Sequence, residues 1–351
     1  MKKEILAYLA DLMNAPSPSG YEDQARAVWR AEMKTVADRV YGDTHGNSVA
    51  VLNEKGSPRI MLAGHIDELG FQVTYISDDG YIGFEPIGGF DAPIVPGRRV
   101  TIHSAKGPVK GVIGKKAIHL MKSDERGKSA EVTDLWIDIG LDKKKKVLKL
   151  IEIGDCATFN DGFDQLTDTV YVSRGVDDRI GAFVAGEVLR YLKGTKCSAA
   201  VFAAATVQEE VGLRGAKTSA YGIDPDAAFA IDVTHAASPD VNKKLICGIE
   251  LGKGPTVGCG ANFNPKLYRL VADVARKRKI KIQIEPSPGG TGTDANAIQL
   301  NRAGVPCSLI SIPNRYMHTP AELFDIRDVE AAVRLIGETI LSIHKKMDFV
   351  I

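Results

Sequence analysis

The chain has 351 residues, 44% of them hydrophobic and 25% charged, a make-up that suits a globular protein of two domains or of one domain with an insertion. A formal net charge of +1 offers no broad field for nucleic acid or an anionic membrane, and no apolar run approaches the ~20 residues that span a bilayer. Five scattered cysteines without a Cys-x-x-Cys pair argue against a disulfide framework or a zinc knuckle, and for reduced thiols in a cytoplasmic protein.

Apolar Ile5, Leu9 and Leu12 predict a helix over residues 3–13, and its apolar stretch is too short for a signal peptide. A loop dense in breakers follows. Ser19 and Glu22 have capping-box spacing, so a second helix is expected over residues 22–37. Strand-like runs come next at residues 48–52 and 59–63, the second opening into Gly64-His-Ile-Asp-Glu-Leu-Gly70. From 71 to 168 the pattern changes to short β-branched runs, at residues 71–76, 99–102, 109–113 and 135–139, between Gly-rich turns. This predicts an all-β insertion, a small barrel or sandwich. The lysine run at residues 143–146 reads as a solvated loop or strand end.

Alternation of strands and helices then returns. A helix opened by Val176-Asp-Asp-Arg-Ile-Gly181 leads to the apolar strand from Val201, which ends in Gln208-Glu209-Glu210. Further strands are expected at residues 226–231, 281–284 and 306–312, and helices at residues 265–278 and 329–344. The expected fold is α/β. Residues 1–70 and 169–351 would form its main body, and residues 71–168 an inserted β domain.

Open α/β sheets bind ligands at the carboxyl ends of their strands. His65, Glu209, Glu210, Asp232 and His318 each fall just past an apolar strand, and Asp177 starts the helix before the Glu-Glu strand. Taken singly, each has an ordinary explanation: a hydrogen-bonded histidine, a helix cap, a turn, a solvated acid. Their recurrence at one topological position is what those separate explanations leave out. Carboxylates and imidazoles gathered this way suit zinc, cobalt or manganese. Gly289-Gly290-Thr291-Gly292-Thr293-Asp294 lacks the Gly-Lys-Ser/Thr of a phosphate loop and reads as a substrate-facing loop or a turn. There is no Gly-x-Ser-x-Gly elbow and no His-Glu-x-x-His helix.

These motifs, together with Ser17-Pro-Ser-Gly-Tyr-Glu22, Ile231-Asp-Val-Thr-His235 and Arg315-Tyr-Met-His-Thr-Pro320, resemble in order those of the tetrahedral aminopeptidases, metallopeptidase family forty-two. The resemblance implies a zinc-exopeptidase-like mixed sheet flanked by helices, interrupted by a PDZ-like β domain used in assembly. It implies two divalent metal ions, zinc or cobalt with manganese as a further option. His65 and Asp232 would hold one ion, Glu210 and His318 the other, and Asp177 would bridge them. Glu209 would be the general base and Asp67 would orient His65. Gly290, Thr291, Gly292, Thr293, Asp294 and Arg315 are the expected substrate contacts. The implied activity is removal of N-terminal residues from short peptides by a cytoplasmic enzyme that forms dimers and a tetrahedral dodecamer, with no nucleic-acid or membrane partner. Another di-metal hydrolase on this scaffold (amidase, deacylase or glycosidase-like), or a non-catalytic peptide-binding protein, is the alternative.

Overall fold

The computed structural model describes residues 1–123, 131–239, 241–344 and 347–351. Four parallel strands form the centre of a mixed sheet, in the spatial order Ala200–Thr206, Arg59–His65, Ala227–His235, Cys307–Arg315. Parallel strands covered by helices must be apolar on both faces, and the inner residues of all four are buried with few exceptions. Ser48–Leu52 extends the sheet antiparallel on one side, Glu322–Asp325 and Val170–Ser173 on the other.

One face is covered by Lys3–Asn14, Asp23–Met33, Val176–Leu192, Pro265–Arg278 and Ile326–Ser342. The opposite face carries Arg214–Ile223 and Asp294–Ile298. The helix Val176–Leu192 lies closest to the sheet: every residue from Val176 to Leu189 is buried. Gly64 permits that approach, and Gly181 leaves room for the Asp178 carboxylate at the start of its own helix. A Cβ on Gly64 would stand 2.2 Å from the Gly181 carbonyl carbon, and one on Gly181 would stand 2.2 Å from an Asp178 carboxylate oxygen.

The second helix is shorter than its pattern suggests. It ends at Met33 because Asp38 N already donates to Val51 O, drawing the chain into the edge strand Arg39–Gly42. Nor does the capping box form. Ser19 Oγ donates to Asp67 Oδ2 at 2.6 Å, and Glu22 accepts from Gly20 N. The final helix begins at Ile326, where Asp325 caps it by accepting from Arg327 N.

Six strands, from Gly70–Ile76 to Cys156–Phe159, close into a small barrel around Phe71, Phe84, Val100, Ile102, Ile113 and Ile137. Two of them go beyond the expected strands: Ile82–Ile87, whose Ile82 and Phe84 alternate into the barrel but whose run is broken by Gly83 and Pro86, and the four-residue Cys156–Phe159, which is buried throughout. The chain is back in the main sheet by Asp164–Gln165, which pairs with Val170–Ser173. Residues 124–130 of the predicted insertion lie outside the described residues. No helix among the described residues is long and apolar enough to cross a membrane.

Candidate metal centre

The parallel register sets where each polar group emerges. Thr206 pairs with His65, and Ala230 pairs with Ala63, which puts Asp232 level with His65. Beyond Thr206 the chain leaves extended geometry at Gln208, whose φ of 56° lies in the left-handed region, and the amides of the paired glutamates then donate to Asp67. His318 has a φ of 61°, in the turn after Cys307–Arg315.

Asp177 joins the two imidazoles. His65 Nε2 lies 3.1 Å from its Oδ1 and His318 Nε2 lies 3.2 Å from its Oδ2. Glu209 approaches His65 Nε2 at 3.7 Å, and Glu210 approaches His318 Nε2 at 3.8 Å. On the far side of each ring, Nδ1 meets a backbone carbonyl: Asp67 O at 3.1 Å from His65 and Gly89 O at 3.2 Å from His318. A carbonyl can only accept, so Nδ1 carries the proton and Nε2 faces the cluster. The Gly89 contact comes from the barrel side of the molecule, beyond Ile82–Ile87.

The Asp67 carboxylate stands 3.5 Å from His65 Nδ1, farther than its own backbone oxygen. Its nearer partners are Glu209 N at 3.0 Å, Glu210 N at 3.2 Å and Ser19 Oγ. It therefore holds the Glu-Glu turn at least as firmly as it holds the ring. Two groups that strand-exit reasoning missed do similar work. Buried Glu322 accepts from Asp177 N at 3.0 Å and His318 N at 2.8 Å. Asp178 accepts from His65 N at 3.1 Å and Gly181 N at 3.0 Å. Glu322 gave no signal in the sequence because it opens a strand, Glu322–Asp325, too short to stand out from its neighbours; Asp178 was overshadowed by its neighbour.

Burial and crowding govern the protonation of the cluster. Burial, reinforced by Asp232, Asp294 and Glu210, pushes the Glu209 carboxyl up to about 10 despite nearby His65. Burial and Asp177 raise Glu210 to about 7 and also raise Asp232. Burial works against the charged form of His65, but Glu209, Asp177 and Asp67 outweigh it and raise its pKa. His318 is raised to about 9, chiefly by its contact with Asp177. Asp177, though buried, is held below the usual carboxylate range by the two imidazoles. Carboxylates that must take up protons to coexist are short of positive charge.

Ligand atoms of His65, Asp177 and Glu210 lie within 4.8 Å of one another, as do those of His65, Asp178 and Asp232. Glu210 Oε1 is buried without a hydrogen-bond partner. Oxygen and imidazole donors, an orphaned carboxylate oxygen and a charge deficit together fit divalent cations. Asp177 faces the cavity beside the cluster; Asp178 does not line it.

That cavity holds ≈ 390 Å³ and is lined by His65, Asp177, Glu209, Glu210, Asp232 and His318, and by Thr291, Gly292 and Thr293. Three of the expected substrate contacts are not among its lining residues. Gly290 precedes the lining stretch, buried Asp294 accepts from Thr206 Oγ1 at 2.6 Å, and Arg315 Nε donates to Ala237 O.

A family model described as M42 glutamyl aminopeptidase matches residues 46–335. The lysyl aminopeptidase of Pyrococcus furiosus is 37% identical over 342 residues, spanning 96% of this chain and 97% of its own. A TET aminopeptidase from a marine sediment archaeon of the Thaumarchaeota superposes with a TM-score of 0.93 at 36% identity, over 97% of this chain and 96% of that one. The TET1 peptidase of Pyrococcus horikoshii, which can assemble into a tetrahedron or a large octahedral shell, has a TM-score of 0.85 at 34% identity, over 97% and 100%.

Proposed function

The chain belongs to the M42 glutamyl aminopeptidase family and is a hydrolase acting on peptide bonds; from that premise we propose that it trims N-terminal residues from short peptides with two divalent metal ions and Glu209 as general base. His65 and Asp232 would hold one ion, Glu210 and His318 the other, with Asp177 between them. The observation that carries this reading is the convergence of both Nε2 atoms on the two oxygens of Asp177.

Bound there, divalent cations supply Lewis acidity toward the scissile carbonyl and make the attacking water more acidic. The side chains of this chain do the rest. Glu209 takes the water's proton and delivers it to the leaving amine, a contribution of about 10²–10⁴-fold. Asp67 holds the Glu209 and Glu210 amides, so that one carboxylate binds while its neighbour stays free to move a proton. Carboxylates committed to metal ions are poorly suited to glycoside hydrolysis, which needs a free acid and a nucleophile.

In this reading residues 71–168 form an assembly domain, and copies of the chain associate into dimers and a tetrahedral dodecamer, as the resemblance to the TET peptidases suggests. Free, scattered thiols suit a cytoplasmic setting. A panel of amino-acid p-nitroanilides assayed on metal-loaded protein tests the activity. Hydrolysis that disappears on chelation and returns with zinc, cobalt or manganese is the expected result. Hydrolysis of simple amides but of no aminoacyl substrate would point to an amidase instead, and inertness toward all of them to a binding protein.

A further inference from the structure

Outside the candidate metal ligands and Glu209, the cavity wall carries one further carboxylate, Glu285, on the strand Gln283–Ser287. Its two oxygens accept from two threonines, Thr234 Oγ1 at 2.8 Å and Thr256 Oγ1 at 2.5 Å, which fix its position. Among the described residues it forms no ion pair, and no Lys or Arg lines the cavity. Each carboxylate oxygen has a second lone pair for a charged donor. Around it the wall includes the aliphatic side chains of Val233, Leu309 and Met317.

Two divalent cations would balance the charges of Asp177, Glu209, Glu210 and Asp232. Glu285 would then be the uncompensated charge in the cavity. A methylene stem ending in a cation matches such a wall, because lysine and arginine bury their stems along apolar surface and present charge only at the tip. An acidic N-terminal side chain would meet Glu285 as a like charge and find no lysine or arginine on the wall, whose one further titratable group is His235.

We infer that Glu285 makes this enzyme selective for peptides whose N-terminal residue is lysine or arginine, by pairing with the cation at the end of that side chain. The inference rests on the aminopeptidase reading of the same cavity. It extends that reading to a substrate class.

The test is a set of kcat/KM values on the metal-loaded full-length enzyme with lysyl, arginyl, leucyl and glutamyl p-nitroanilides. The wild type is expected to favour the two basic substrates. Glu285→Gln, which keeps the shape and an acceptor for the threonines, should lower the lysyl-to-leucyl ratio by about 10–100-fold. Glu285→Asp should restore part of that ratio. Preference for glutamyl or leucyl substrate in the wild type, or a ratio that Glu285→Gln leaves where it was, overturns the assignment. A parallel fall on all four substrates does so too, since it would mean that Glu285 meets the substrate's α-ammonium or only supports the wall. Absence of hydrolysis of every substrate by the wild type would instead remove the aminopeptidase reading beneath it.

Discussion

At the scale of single residues, the adjacent Glu209 and Glu210 have different surroundings. Glu209 stands against His65 and Glu210 against His318. If Glu209 moves a proton and Glu210 binds metal, their substitutions must separate chemistry from binding. Glu209→Gln is expected to reduce kcat by about 10²-fold or more while the protein keeps its full complement of metal. His318→Ala is expected to lower the metal-to-protein ratio in elemental analysis. Near-wild-type turnover by Glu209→Gln would remove its role as base, and an unchanged metal count would take His318 out of the ligand set. Backbone carbonyls of Asp67 and Gly89 accept from the Nδ1 atoms of His65 and His318, which turns both Nε2 atoms toward the cluster.

At the scale of elements, the site depends on how closely the helix Val176–Leu192 lies against the strand Arg59–His65. Asp177 and Asp178, at the helix's first turn, depart from helical geometry, and their carboxylates reach the His65 ring and the His65 amide respectively. This contact requires Gly64 to present no side chain to the helix backbone. Gly64→Ala should therefore force the two elements apart, at a cost of about 1–3 kcal/mol typical of overpacking. It should also weaken metal retention, because His65 and Asp177 ride on the two displaced elements. Urea denaturation together with a metal-competition titration checks both expectations. A variant as stable and as metal-tight as wild type would mean that the strand and helix can adjust without moving the ligands. Glu322 works at the same scale: its two oxygens fasten the amides of Asp177 and His318, tying the helix start to a turn on the far side of the site.

At the scale of the whole molecule, a cluster that binds divalent cations as proposed would couple metal content to stability. Without cations, Glu209 and Glu210 have pKa values raised to about 10 and about 7, chiefly by burial, and Glu322 to about 8. Groups raised in the folded state stabilise it when protonated. That contribution is fully present below the unfolded value of about 4.3 and is lost as pH climbs through the folded values. Cations bound by deprotonated ligands reverse the dependence. The difference in Tm between metal-loaded and chelated protein should therefore widen from about pH 6 to about pH 8.5. A difference that narrows over this range would contradict the charge deficit inferred for the cluster.

Much of this architecture could be read from the chain alone, because local patterns have local causes. Apolar strands ending in acids and histidines announce the edge of a parallel sheet, and short β-branched runs between glycine turns announce the barrel. His65, Asp177, Glu209, Glu210 and His318 were legible for that reason, each lying at or just past the end of a strand or at the start of a helix; Asp232 was legible only as a group near such an end, since its strand, Ala227–His235, runs three residues beyond it. Ser19 does not cap a helix, because its hydroxyl goes to Asp67, 48 positions later, which capping-box spacing cannot show. Glu322, Asp178 and Glu285 were invisible for a related reason. Their importance lies in which amide, ring or cavity they face, and such facing is decided by long-range packing, not by spacing along the chain. The sequence by itself determined the kinds of element and the groups at their ends. Only the tertiary structure decided which of those groups meet, because the parallel register and the close strand–helix contact at Gly64 join positions more than a hundred residues apart.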